Sequence, residues 1–499
     1  MRQLTALDAQ FLHAESATTA AHVAGLAILD PACSRAGAVT RECLIGLLRE
    51  RVHLAPALRL RLATVPFDLD RPYWTEDPDL DVAGHVHEVT LAAPGDDAQL
   101  AEEVARIHER RLDRGRPLWE MHLIQGLTGG RVALYAKVHH CAIDGVSGAE
   151  TLAALLDLTP EPRVVERPAP TPRTTAPGLA GMLAGAVARS VMQPARTLYS
   201  LGRMATELDT MPLASALPGA RQVAAATRMI TGRVRELPEL PMLTAPRTPF
   251  NGPIGPERRF SYGSIPLADV KRVARSSGAS VNDVVMTLCA SALRAWLHER
   301  DALPDRPLIA AVPVAVRTAS AQDMVGNQIS VMVTPIPTDL ACPRERLRVM
   351  ARTMHTAKRR FAGSPTGWLS ELSSMLPAAV TALATSRVFR LASIMLPPIN
   401  LIVSNVPGPQ LPLYLCGARV LAYHPMSVLT DVSGGVNITC FSYDGSLDFG
   451  ILSCPDRVAD VWRLMGHLQE AMDELMEQIE PAGRLAPVDS LPARQMVPA

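Results

Sequence analysis

The alternation of apolar and polar positions changes character several times along the chain, and these changes divide it. Residues 58–65 (LRLRLATV) alternate apolar and basic side chains, the period of a half-buried strand. From 97 to 112, Leu100, Val104 and Ile107 recur at helical spacing. Two apolar-rich runs, 117–126 (PLWEMHLIQG) and 131–139 (RVALYAKVH), flank Thr128-Gly129-Gly130, which predicts a hairpin whose second strand runs into a pair of histidines. A helix is expected from Ser147 to Leu158. Between 160 and about 250 the texture shifts to a Pro- and Thr-rich connection, followed by Ala- and Met-rich helical segments with isolated arginines. Those segments offer either a face that packs on the protein's own body or a surface for lipid contact.

The second half returns to mixed texture. Ser280 and Asp283 form a capping-box pattern that opens a helix reaching about His298, with Asn282 in its first turn. Strands are predicted at 308–316, 328–336 and 399–405. A hairpin over 434–453 turns at Asp444-Gly445, and a closing helix spans about 456–478. No repeat of fixed period is present, which argues against a solenoid. The expected division is an N-terminal unit over 1–160, a connecting region over 161–250, a C-terminal unit over 251–485 and a loose tail over 486–499. Strands interleaved with helices make the fold class α/β, of the α+β type.

Composition narrows the function. Hydrophobic residues make up 48% and charged residues 20% of 499, so there is ample material for buried cores. Basic and acidic residues number 49 each, which removes the bulk-charge argument for a nucleic-acid binder. The eight cysteines include no CxxC pair and read as reduced thiols. The N-terminus lacks a basic-then-apolar signal pattern. The most apolar stretch, 376–403, is interrupted by Arg387, Arg390 and Pro397-Pro398, too often for a spanning helix. A cytoplasmic location is therefore expected, with attachment to a membrane surface left open.

The chemically informative segment is HHCAIDG at 139–145. Given 13 histidines and 32 glycines, HHxxxDG arises by chance about once in a thousand such chains. At a strand end, the imidazoles of His139 and His140 point to opposite sides, so one enters a cleft while the other packs behind it. A neutral imidazole can take a proton from an alcohol, hold it while a tetrahedral centre forms, and return it to the leaving group. That is the requirement of acyl transfer, and a thioester donor suits it because a thiolate leaves readily. Gly145 lets the backbone turn after the strand. Asp144 is expected to order the loop by pairing with a distant arginine, for which Arg317 is the candidate. A metal site needs more ligands than this segment offers: no HExxH is present, and His85-Val86-His87 reads as an exposed strand pair.

These residues carry a resemblance. LTALDAQFLHAES at the start, RPLWEMHLIQGL at 116–127, HHCAIDG, SVNDVV at 280–285, VPVAVR at 312–317, MVGNQIS at 324–330 and SNVPGP at 404–409 together resemble the bacterial wax ester synthase/diacylglycerol acyltransferase family. HHxxxDG alone would indicate only the wider group of acyl-CoA-dependent acyltransferases and peptide-synthetase condensation domains. The resemblance implies a chloramphenicol-acetyltransferase-like fold of two similar halves, with mixed sheets flanked by helices and a tunnel between them. It implies that His140 is the catalytic histidine, that His139 and Asp144 support it, and that Asn282 and Asp283 lie close by. Pro117, Leu118 and Trp119 match the family's PLW element, which either packs a strand or touches substrate. Asn405 either donates a hydrogen bond near the reacting carbonyl or belongs to a shaped turn over 404–409.

The implied activity transfers a long-chain acyl group from coenzyme A to diacylglycerol or to a fatty alcohol. Its partners would be acyl-CoA, the lipid acceptor and a membrane or lipid-inclusion surface, with no cofactor, no metal and no nucleic acid. Two alternatives remain: a non-catalytic lipid-binding protein of the same fold, and a condensation-type enzyme using carrier-bound acyl groups.

Overall fold

The computed structural model describes residues 2–34, 37–143, 145–166, 175–205, 220–231, 245–315, 329–363, 373–374, 377–395 and 398–479. Two six-stranded mixed sheets dominate. The first contains β2 (His22–Asp30), β5 (Val86–Thr90), β6 (Trp119–Gln125), β7 (Val132–His139), β12 (Tyr414–Leu415) and β13 (Ala418–Met426), in the order β12-β13-β2-β7-β6-β5. The second contains β8 (Arg259–Pro266), β9 (Leu308–Ala315), β10 (Ile329–Ile336), β11 (Leu401–Pro407), β14 (Val436–Tyr443) and β15 (Ser446–Ser453), in the order β10-β9-β11-β14-β15-β8. A small sheet joins β1 (Arg2–Gln3), β4 (Tyr73–Glu76) and β3 (Leu60–Ala63).

The helices over the first sheet and its surroundings are α1 (Ala6–Ala14), α2 (Arg41–Arg51), α3 (Asp97–His108) and α4 (Gly145–Leu155). The connecting region supplies α5 (Leu179–Ala205) and α6 (Ala220–Thr231). The second half adds α7 (Leu267–Ser277), α8 (Val281–His298), α9 (Pro343–Gly363), α10 (Ala378–Met395) and α11 (Val461–Glu477).

Local chemistry accounts for the boundaries. The β6–β7 hairpin turns through Thr128–Gly130, where Gly129 adopts φ 78°. The Ser280 hydroxyl accepts from the Asp283 N–H at 3.2 Å while the Asp283 carboxylate accepts from the Ser280 N–H at 2.9 Å, closing the expected capping box of α8. Thirteen of the 18 residues of α8 are buried, because α7, α9 and α11 surround it on the second sheet. The segment at 58–65 differs from its predicted strand: Pro56–Arg59 forms a 3-10 turn, and only Leu60–Ala63 is extended. Pro56 fixes its own φ, and buried Leu58 turns into the first core instead of alternating.

One feature has no local signature. β13 comes from late in the chain yet pairs with β2, from Arg419 opposite Asp30 to Met426 opposite Ala24, so the first sheet is completed by the C-terminal half. It crosses β15 at Gly450, where a Cβ would lie 1.9 Å from the Pro425 carbonyl oxygen, so only glycine permits the approach. Asp448 of β15 fastens the crossing by accepting from the Tyr423 N–H at 2.8 Å and from the Ser264 hydroxyl at 2.6 Å. Burial raises its carboxyl to about 6 against the opposing effect of those two bonds.

Candidate active site

The histidine doublet stands where β7 ends between two neighbouring strands. The His139 N–H donates to the Leu118 carbonyl at 2.9 Å, and the His140 N–H donates to the Ala21 carbonyl at 2.8 Å. The two side chains then part company. His139 is 1% exposed, whereas the His140 ring is only half-buried and lies flat against Phe11 of α1, with centroids 4.0 Å apart and planes 3° from parallel. A stacked phenyl ring fixes the plane of an imidazole without consuming either nitrogen.

The buried partner is held by groups far away in sequence. The Cys141 N–H donates to His139 Nδ1 at 3.1 Å. A ring that accepts at Nδ1 carries its proton on Nε2, and His139 Nε2 faces Glu15 Oε1 at 3.4 Å. The other carboxylate oxygen of Glu15 takes Arg114 in a forked bond, at 2.6 and 3.1 Å, and the Ala21 N–H donates to Glu15 Oε1 at 3.2 Å. Burial alone would raise the Glu15 carboxyl. The bonds to His139 and Arg114 outweigh it and hold the group at about 2.

In the sequence Glu15 lies within LTALDAQFLHAES and carries no role that spacing alone assigns. The signal available is a carboxylate at the C-terminal end of α1, where the helix dipole disfavours a negative charge. Because this carboxyl is depressed in the folded state, its stabilisation is fully present above about pH 4.5 and is lost as pH falls toward 2. Glu15→Gln should therefore remove an acid-side loss on the order of 3 kcal/mol, seen as a flatter melting-temperature profile between pH 5 and pH 2.

The PLW element lies directly beneath the doublet. Leu118 is the acceptor for His139, and Pro117, Leu118 and Trp119 are all buried. Trp119 donates its indole N–H to the Leu58 carbonyl at 2.8 Å and stacks on His85 at 4.4 Å. These contacts are those of strand packing. Gly145, the last residue of the motif, opens α4. Asp144 and Arg317, the expected loop pair, both lie outside the described residues.

The residues drawn from the second half form their own hydrogen-bonded group. Asn405 Nδ2 donates to Asn282 Oδ1 at 3.1 Å, and the Cys440 thiol donates to Asn405 Oδ1 at 3.2 Å. Burial pushes that thiol far above its usual range, so it stays protonated and able to donate. Both amide oxygens are thus used inside the cluster, which leaves amide N–H groups available outside it. Asp283 is occupied with capping α8.

One group of metal-ligating side chains is present among the described residues. His87, Glu120 and His122 bring ligand atoms within 4.8 Å of one another. The Lys137 ammonium, fully buried, already lies 3.1 Å from Glu120 and donates to the Ile107 and Arg110 carbonyls. It supplies the positive charge that a cation would bring. His85 turns the other way, with its Nδ1 2.7 Å from the Trp119 carbonyl, so His85 and His87 do not converge.

Two sheet-bearing halves, with a histidine doublet at a strand end, define an acyltransferase of the chloramphenicol-acetyltransferase-like class. The wax ester synthase/diacylglycerol acyltransferase catalytic domain matches residues 4–285, and the C-terminal domain of the same family matches residues 325–476. The chain belongs to that family. A Mycobacterium tuberculosis protein provisionally named diacylglycerol O-acyltransferase is 36% identical over 485 residues, covering 96% of this chain and 90% of its own. Another from that organism is 33% identical over 480 residues, covering 95% and 98%. Among solved structures, the wax ester synthase/diacylglycerol acyltransferase of Marinobacter aquaeolei VT8 superposes with a TM-score of 0.67 at 27% identity, over 95% of this chain and 98% of that one. The first condensation domain of the CDA synthetase shares the fold alone, with a TM-score of 0.51 at 15% identity over 96% of this chain and 97% of that one.

Proposed function

We propose that the protein transfers a long-chain acyl group from coenzyme A to the hydroxyl of diacylglycerol or of a long-chain alcohol, with His140 as the general base. The observation that carries this reading is the division of labour in the doublet: one ring is buried and anchored to Glu15, and the other is half-buried, held in plane by Phe11. His140 removes the hydroxyl proton as the alkoxide oxygen attacks the thioester carbonyl carbon. The tetrahedral centre collapses with loss of the C–S bond, and the imidazolium returns the proton to the thiolate. Ester and free thiol are the only products, so no cofactor enters the balance. The developing oxyanion takes hydrogen bonds from the Asn405–Asn282 amide pair, whose oxygens already accept from the Cys440 thiol and the Asn405 amide.

The N-terminal unit, 1–160, supplies the histidines, and the C-terminal unit, 251–485, supplies the amides, joined through 161–250. A tunnel between them would remove the long chains from water, which favours binding. Among the described residues, no helix is long and apolar enough to cross a membrane, so access to lipid acceptors is proposed to be peripheral, on the cytoplasmic side of a membrane or on a lipid inclusion.

The test is one assay with palmitoyl-CoA, offering diacylglycerol and hexadecanol separately and identifying products by mass. Triacylglycerol or wax ester with stoichiometric thiol release is expected. Tight lipid binding with no ester from either acceptor would replace the reading with a binding protein. Turnover that requires a carrier-bound thioester would replace the donor.

A further inference from the structure

We propose that the outer face built from α5, α10 and the turn at Phe67 docks onto an anionic lipid surface and sets that surface one helix away from His140. Large apolar side chains are exposed on this part of the molecule to an unusual degree. Six of the 21 exposed ones lie on α5, two on α6, five on α10 and two on the Phe67 turn, leaving six on the rest of the described surface. Phe67 is 90% exposed, Val191 74% and Leu383 69%. Exposed apolar area concentrated in this way marks a contact surface.

These elements form one patch. Met182 and Ala186 of α5 pack on Val65 and Tyr73, and Arg189 of α5 pairs with Asp70, so the helix is fixed to the loop that carries Phe67. α10 packs on the same turn and on α1, where the Thr385 hydroxyl donates to Gln10 Oε1 at 3.1 Å. At 3.6 residues per turn, Val380, Leu383, Arg387, Arg390, Leu391 and Ile394 share the outward arc of α10, opposite buried Thr381 and Thr385.

The charge pattern selects the occupant. The 57 residues of α5, α6 and α10 contain seven arginines and no aspartate or glutamate, in a chain whose full length balances 49 basic against 49 acidic residues. Arg387 and Arg390 are exposed and pair with no carboxylate among the described residues. Leucine interleaved with arginine and free of acidic groups suits an interface of acyl chains and anionic headgroups, where the guanidinium groups reach the phosphates while the stems stay with the apolar side chains. The geometry ties docking to chemistry: α10 lies on α1, and α1 carries the Phe11 ring against which His140 stacks. This inference rests on the proposed use of long-chain lipid substrates, which concentrate in that phase.

The test floats the full chain with vesicles of phosphatidylcholine, alone or with a quarter phosphatidylglycerol. The wild type should float with the anionic vesicles, less with the neutral ones, and less at high salt. Leu383→Glu/Leu391→Glu should weaken flotation about tenfold or more. The same variant should keep wild-type turnover of a short-chain thioester and alcohol in detergent. Equal flotation of the variant, a wild type that stays in the unbound fraction, or a wild-type dimer in sedimentation that the variant dissociates would each overturn the docking. A wild type that floats but makes no ester in detergent would instead overturn the acyl-transfer reading and leave the docking standing.

Discussion

His140→Ala is expected to lower acceptor-dependent thiol release by a factor of about a hundred to ten thousand, the range for removal of a positioned general base. The loss falls on kcat, because the ring acts on a proton in flight and does not hold the acyl chain. Stability should change little: the ring is half-buried, and its described ring contact is the stack on Phe11. His139→Ala is the informative contrast. It deletes a ring that is 1% exposed, strands the Cys141 N–H and leaves Glu15 and Arg114 without their third member, so both melting temperature and turnover fall. A single-turnover assay with melting curves separates the two variants. Undiminished turnover by His140→Ala in a folded protein would remove this histidine from the mechanism.

What was readable in the sequence was contiguous. HHCAIDG, the capping box at Ser280 and Asp283 and the hairpin at Asp444-Gly445 each depend on residues within a few positions of one another, and spacing alone announces them. Strand alternation also implies that the two imidazoles part, while the choice of His140 as the ring in the cleft comes from the family resemblance. The supports of the site are of a different kind. Glu15 reaches His139 across 124 positions, and Cys440 reaches Asn405, which in turn reaches Asn282. No local pattern encodes such a pairing, because any buried polar group needs a partner and the sequence does not say which. The crossing strand β13 is hidden for the same reason: its apolar pattern fits the edge of either sheet, and only Gly450 hints that two backbones must approach. Alternation at 58–65 misleads because Leu58 is buried through a 3-10 turn over Pro56–Arg59, where period two carries no meaning.

Trp119→Ala should cost about 3–5 kcal/mol of unfolding free energy, the range for truncating a large buried aromatic. The side chain is 1% exposed, packs in the core beneath the first sheet with Leu58, Met121 and Leu134, and stacks on His85 with planes 15° apart. Truncation opens a cavity and also strands the Leu58 carbonyl, which the indole N–H satisfies at 2.8 Å. Trp119→Phe separates these contributions: it keeps most of the packing, loses the hydrogen bond and should cost about 1–3 kcal/mol. Because the adjacent Leu118 carbonyl holds the His139 backbone, the folded fraction of Trp119→Ala should also turn over more slowly, through kcat, without a matching rise in KM. Urea unfolding followed by kinetics on the folded protein measures both. If Trp119→Ala were as stable as the wild type and raised KM alone, the PLW tryptophan would be a substrate contact, and the packing role assigned to it would be wrong.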